Sequence, residues 1–378
     1  MAGVYLHIPF CAQVCHYCDF HKSASLSNMA ELVEAMLLEL ELRAGYLGGR
    51  PVKTIYFGGG TPSLLPVADI ARLVEQVARH NPLDPGAEIT LEANPEDLDP
   101  AYLEALARTP VNRLSLGTQS FFDQDLAFMH RRHGARQAVE AVRMARRAGF
   151  DNLSIDLIYG LPGMGRQRWT DNLRQALELD APHVSAYHLT YEEGTPFERW
   201  KRSGKITPID EQESLWQFDT LADTLAAAGY EHYEISNFAR PGWHSRHNSS
   251  YWLGDPYLGV GPSAHSYDGR DSRQWNVRNN PRYIRALKAR QIPAEGERLD
   301  PAARLNELVM TRVRTQWGID LDQVELGFGA QARARLLADA QAHLRRGHLE
   351  LLPGGRVLRL TRAGKHLADR VAAELFAD

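Results

Sequence analysis

Residues 4–18 read Val4-Tyr5-Leu6-His7-Ile8-Pro9-Phe10-Cys11-Ala12-Gln13-Val14-Cys15-His16-Tyr17-Cys18. Val4–Ile8 is a β-branched and aromatic run of strand length, and a cysteine loop opens just beyond it. The chain has 378 residues and only three cysteines, all within this loop. An odd, clustered set in a large chain is no disulfide framework, so the thiols read as metal ligands. Cys11, Cys15 and Cys18 can hold three irons of a [4Fe–4S] cluster and leave the fourth iron open. A Cys3His zinc site with His16 or His21 competes with this, although structural zinc sites usually draw on two separated knuckles. A redox-active Cys15-x-x-Cys18 is the weaker alternative, because the loop of a barrel strand is the wrong context for it.

Outward from this stretch the same unit recurs. Thr54–Phe57, Glu88–Glu92, Arg113–Leu116, Asn152–Ile158 and His183–Leu189 are further strand-like runs, separated by helical periodicity. After the first run, Leu32, Met36 and Leu40 share a face, with Val33 and Leu37 beside them. Asn28 and Glu31 predict a capping box at its start, and Gly45 its stop. Pro66–His80, Pro100–Arg108, Ala135–Ala148 and Arg168–Leu179 repeat the helical pattern. Six strands alternating with helices predict an α/β fold with a parallel sheet, an open partial (β/α)6 barrel of TIM type. Gly58-Gly59-Gly60-Thr61, Glu92, Gln119 and Asp156–Gly160 fall at the C-terminal ends of their strands, where such folds bind ligands.

Apolar residues make up 44% and charged residues 24%, which excludes disordered and fibrous classes. A net charge of −4 argues against a dedicated nucleic-acid or anionic-membrane binder. No apolar run approaches the roughly 18 residues of a transmembrane segment. The first residues lack the pattern of a signal peptide, so a cytoplasmic location is expected. Three segments follow: residues 1–229 as the barrel, 230–281 as an aromatic and histidine-rich cover over its mouth, and 282–378 as a C-terminal domain. In the last, helices over Arg304–Trp317 and Gln331–Arg346 precede a hairpin, Leu349–Leu352 with Arg356–Leu360, in a winged-helix-like order. Gly58–Thr61 lacks the Lys-Ser or Lys-Thr of a phosphate loop, and Gly259–Ala264 lacks the helix of a dinucleotide site.

Five ordered motifs narrow the reading. They are Tyr5-x-His7-Ile8-Pro9-Phe10-Cys11, Tyr56–Ser63, Leu91-Glu92-Ala93-Asn94-Pro95, Gly117-x-Gln119-Ser120-Phe121 and Asp156–Pro162. With Cys-x3-Cys-x2-Cys they resemble the radical S-adenosylmethionine (SAM) superfamily, and within it the family of oxygen-independent coproporphyrinogen III oxidase and its relatives. The resemblance implies a [4Fe–4S] cluster on Cys11, Cys15 and Cys18, fed by an electron donor. It further implies SAM contacts from Tyr5, Tyr17, Gly59, Gly60, Thr61, Glu92, Gln119, Arg131, Asp156 and Thr190. The chemistry agrees: a sulfonium and an amino group need acceptors such as Glu92 and Asp156, and a carboxylate can pair with Arg131.

Two departures divide that family. The oxidase has a fourth cysteine two residues past the last ligand, where this chain has Phe20, and a substantial extension before its cluster motif, where only ten residues precede Cys11. Both departures, with His247-Asn248-Ser249-Ser250-Tyr251-Trp252, resemble the HemW branch, whose members are heme chaperones. The implied function is to bind heme and deliver it to an acceptor protein, with oxidative decarboxylation of coproporphyrinogen III as the alternative. His244, His247 and His265 are expected to converge among aromatics, with His247 as axial heme ligand and Tyr251 as a lesser candidate.

Overall fold

The computed structural model describes residues 1–377; Asp378 lies outside the described residues. Six strands lie parallel and side by side in chain order: β1 (Ala2–Ile8), β2 (Val52–Gly59), β3 (Leu83–Ala93), β4 (Arg113–Gln119), β5 (Leu153–Tyr159) and β6 (His183–His188). Alternation sorts their side chains. Val4, Leu6, Ile8, Ile55, Phe57, Leu91, Leu114 and Leu116 are buried in the apolar core against the helices. Residues of the opposite parity, among them Tyr56, Glu92, Ser115 and Asp156, face the barrel interior. The helices Met29–Leu42, Val67–His80, Pro100–Leu106, Ala135–Arg147 and Arg166–Glu178 fall where periodicity places them. The expected capping box does not form: Asn28 stands at the N-cap without a side-chain bond, and the first helix ends before Gly45.

The segment expected over the mouth is elsewhere. β7 (Glu231–Glu234) and β8 (Asn237–Ala239) add antiparallel to β6. At the other edge β9 (Tyr257–Val260) pairs parallel with β1, and β10 (His265–Tyr267), β11 (Ser272–Asn276) and β12 (Ala294–Arg298) continue antiparallel, giving twelve strands. Between them the helix Arg246–Trp252 packs on β1 and β2 at their N-terminal halves. Its first amides, of Arg246 and His247, donate to Glu88 near the start of the inward-facing part of β3, at 3.1 and 3.0 Å. This segment therefore widens both sheet edges and closes the barrel floor. Aromatic richness marked it as ordered but carried no information about which end of the strands it meets.

The boundary at 282 also moves. The helix Asn280–Lys288 packs Tyr283, Ile284 and Leu287 into the barrel's core, and β12 belongs to the main sheet. A second core runs from Leu305 to Leu375. It holds the helices Pro301–Arg312, Leu321–Phe328 and Ala330–Arg346 and a small sheet of β13 (Ile319–Asp320), β14 (Leu349–Leu351) and β15 (Val357–Leu360) in the order β13-β15-β14. That is winged-helix connectivity, although the first helix stops at Arg312 rather than Trp317. Among the described residues no helix is long and apolar enough to cross a membrane.

Candidate functional site

A cavity of about 410 Å³ opens at the C-terminal ends of β1–β6. Cys11, Cys15 and Cys18 line it, together with Tyr17, Gly59, Gly60, Thr61, Glu92, Gln119, Arg131, Asp156 and Thr190. The sequence thus named twelve residues, spread over 180 positions, that the fold gathers around one volume.

The cysteine loop is tied down at its stem and tip. The Cys11 amide donates to the Ser23 carbonyl at 3.0 Å, the His16 amide to Met129 at 3.1 Å, and the Phe197 amide to His16 at 3.2 Å. Thr61 Oγ1 reaches Cys11 Sγ at 3.5 Å, and Arg131 Nη1 reaches Cys15 Sγ at 3.4 Å. Burial pushes the Cys11 thiol up to about 11 and raises Cys18 as well. A metal cation in the place of those protons relieves that penalty. The donor set also separates the two metal readings. His16 Nδ1 lies 3.1 Å from the Phe128 carbonyl, and His21 Nε2 lies 2.8 Å from Asn280 Oδ1. Among the described residues no three His, Cys, Asp or Glu side chains converge on one ion's position. A tetrahedral zinc site needs such convergence, whereas a cluster takes each thiolate on a different iron. The thiols fit the cluster.

Beside them lies a cradle of backbone. A Cβ on Gly60 would sit 2.6 Å from the Phe10 carbonyl oxygen and 2.7 Å from that of Ile8, so only glycine lets the two loops touch. Gly59, at φ +108°, donates its amide to Glu92 Oε2 at 3.2 Å, and the Tyr56 hydroxyl donates to Oε1 at 2.8 Å. Burial raises Glu92 to about 7, with Asp156 adding to the shift, and burial raises Asp156 to about 6 despite the Ser115 hydroxyl at 3.1 Å. Among the described residues neither carboxylate has a Lys, Arg or His partner within 4 Å. Arg131 donates to Asn94 Oδ1 at 2.5 Å and to the Gly117 carbonyl at 2.9 Å, while its Nε has no partner. Gln119 holds φ 63°, a strained conformation for a residue with a side chain, where the β4–β5 register shifts so that it pairs with Leu157, and it lines the cavity. Two acids and a guanidinium, none of them in a direct ion pair among the described residues, match a ligand carrying both charges.

Three expected residues are not in this volume. Tyr5 stacks on Tyr56 and His247, and its hydroxyl lies 3.2 Å from His7 Nδ1. His247 is fully buried at the barrel floor, with Nδ1 2.8 Å from Thr54 Oγ1 and Nε2 2.9 Å from the Tyr251 hydroxyl. Both ring nitrogens are therefore engaged within the protein, and the Tyr251 hydroxyl is one of their two partners. The three histidines do not converge: His244 pairs with Glu231 at 2.7 Å and His265 lies beside Trp275. The structure adds Tyr56, Asn94, Arg113 and Asn248 to the cavity wall. Tyr56, Asn94 and Arg113 have strand-end or inward parity that could have marked them. For Asn248 no sequence pattern told which face of a floor helix meets the cavity.

With this geometry in place, relatives become informative. The Radical SAM superfamily model matches residues 5–176, and the HemN C-terminal domain model matches residues 299–367, nearly the span of the second core. "Heme chaperone HemW" of Mycobacterium tuberculosis is 38% identical over 379 aligned positions, covering 99% of this chain and 94% of that protein. The chain belongs to the HemW family. HemW of Synechocystis is 35% identical over 89% of this chain and 83% of its own length, and HemW of Escherichia coli is 38% identical over 73% and 74%. The solved structure of coproporphyrinogen III oxidase (HemN) from Escherichia coli, a radical SAM enzyme, superposes with a TM-score of 0.84. It covers all of this chain and 90% of that one at 23% identity, which establishes that this chain shares its fold.

Proposed function

We propose that this protein binds heme and passes it to an acceptor protein, on a scaffold that holds a [4Fe–4S] cluster and SAM. The observation that carries the reading is the cavity: three thiols and the acid, amide and guanidinium groups of a SAM site meet in one volume, in a member of the HemW family. Cys11, Cys15 and Cys18 would hold the cluster, with Thr61 and Arg131 donating to the sulfur ligands. Glu92 and Asp156 would accept from the cationic parts of SAM, and Arg131 would hold its carboxylate. Tyr56 and the Gly59 amide keep the Glu92 carboxylate aimed at the cavity. Cluster and SAM together supply one-electron chemistry at the sulfonium when an electron donor is present. Clustered free thiols and no membrane-crossing helix among the described residues support a cytoplasmic setting.

The discriminating experiment uses anaerobically reconstituted protein. Heme titration is expected to saturate at about one per chain, and coproporphyrinogen III with SAM and a reductant is expected to give no protoporphyrinogen IX. Phe20 supports that division, since its ring cannot replace the thiol that the oxidase carries there. Multi-turnover decarboxylation without heme binding would overturn the reading.

SAM affinity should depend on pH. A carboxyl raised to about 7 or 6 holds its proton below that value, and the cation needs the ionised form. Binding is therefore weak at pH 5.5 and strengthens as pH rises through 6 and 7, by about tenfold or more at 1.36 kcal/mol per unit. Calorimetry at pH 5.5 and 8 measures it. Glu92→Gln should flatten the profile, and an already flat wild-type profile would remove both carboxylates from the SAM site.

A further inference from the structure

Arg113, the first residue of β4, lines the deep end of the same cavity and is only 2% exposed. Its Nη1 donates to Asn152 Oδ1 at 2.7 Å, and its Nε has no partner. Among the described residues no carboxylate lies within 4 Å of it. Asp156 shares the cavity and feels the Arg113 charge, which works against the effect of burial on its carboxyl, but its contacts are with Ser115 and Ser154. A buried guanidinium with no carboxylate in contact is costly, and a bound oxyanion offsets that cost. Asn248 faces the cavity from the floor helix, and its side-chain amide makes no hydrogen bond to the protein. At the mouth two aromatic rings stand open on the same cavity, Phe20 at 63% exposed and Tyr187 at 44%. Exposed rings of this kind cover a flat apolar surface, while an arginine and an amide inside a cavity read a carboxylate.

We infer that the cavity captures heme by a propionate: Arg113 and Asn248 form a carboxylate subsite inside the barrel, and Phe20 and Tyr187 cover an edge of the macrocycle at the mouth. This rests on the heme reading above and adds where and by which chemistry heme is held. It also gives the floor segment a ligand contact that His247, with both nitrogens engaged, does not supply.

The test compares heme with heme dimethyl ester, whose propionates carry no charge, by absorbance titration of the reconstituted full chain. Wild type is expected to prefer heme by about tenfold or more, as for one charge-assisted contact in a cavity. Arg113→Met should abolish that preference, Arg113→Lys should keep part of it, and Phe20→Ala should weaken both ligands equally. Because Arg113 is buried, Asn248→Ala supplies a milder second variant, expected to narrow the preference with an unchanged Tm. Equal binding of heme and its ester by wild type overturns the subsite, as does an undiminished preference in both Arg113→Met and Asn248→Ala. A preference for SAM over its decarboxylated analogue that disappears with Arg113→Met would assign the subsite to SAM and also overturn the inference. No saturable heme binding by wild type would remove the heme reading itself.

Discussion

Replacing Cys11, Cys15 or Cys18 by Ala, one at a time, is expected to reduce bound iron in anaerobically reconstituted protein from about four per chain to near none. The chain has no fourth cysteine to substitute, and the neighbouring histidines are turned away: His16 stacks on His130 at 4.4 Å and His21 is bound to Asn280. The effect is all-or-none because two thiolates leave two irons without protein ligands. Iron and sulfide analysis and the broad thiolate-to-iron absorption measure it. Full iron retention in any one variant would show that the cysteine is not a ligand, and stoichiometric zinc in wild type would restore the zinc reading against the geometry.

His247→Ala is expected to cost about 3 kcal/mol or more of stability while leaving heme affinity within about twofold. Removing the ring opens a cavity at the barrel floor and leaves Thr54 Oγ1 and the Tyr251 hydroxyl without their partner, in a fully buried setting. His247→Gln, which can keep one of the two bonds, should recover part of the loss. Acid gives a second readout. Burial holds the His247 imidazole down at about 3, so the unfolded chain takes up a proton that the folded chain refuses. That contribution is fully present above pH 6.5 and is lost as pH falls from 6.5 toward 3. The Ala variant should therefore lose less stability on acidification than wild type does. Thermal and denaturant melts at pH 5 and 8 measure both effects. A variant that keeps its Tm but loses heme would return His247 to the ligand set.

The contrast between Cys11 and His247 shows what a sequence carries. Local order sufficed where chemistry depends on neighbours along the chain. Three thiols on one loop, Gly58–Gly60 after a strand, and acids at strand ends occupy predictable positions, because a strand alternates its faces and a parallel sheet directs every C-terminal end the same way. Helix boundaries in the barrel held to within about three residues for the same reason, whereas the helix expected over Arg304–Trp317 runs from Pro301 to Arg312. Asn28 had the residue type of a cap, but its backbone and side chain did not adopt the capping geometry.

Residues 230–281 depended on contacts with distant strands. Their short strands join β6 at one edge and β1 at the other, and the helix Arg246–Trp252 is held at the floor by Glu88, over 150 positions away in sequence. Where His247 points was decided there: consecutive positions of the helix direct Asn248 to the cavity and His247 to Thr54. By itself the sequence determined the alternating α/β barrel, the thiol loop and the acids and glycines around a cofactor. Only the tertiary structure decided which end of the barrel the histidine segment closes, that Arg113 faces the cavity with no carboxylate in contact, and that the second domain begins near residue 300. Periodicity reports which face of an element is buried, but the identity of the neighbour across that face is set by packing between segments far apart in the chain.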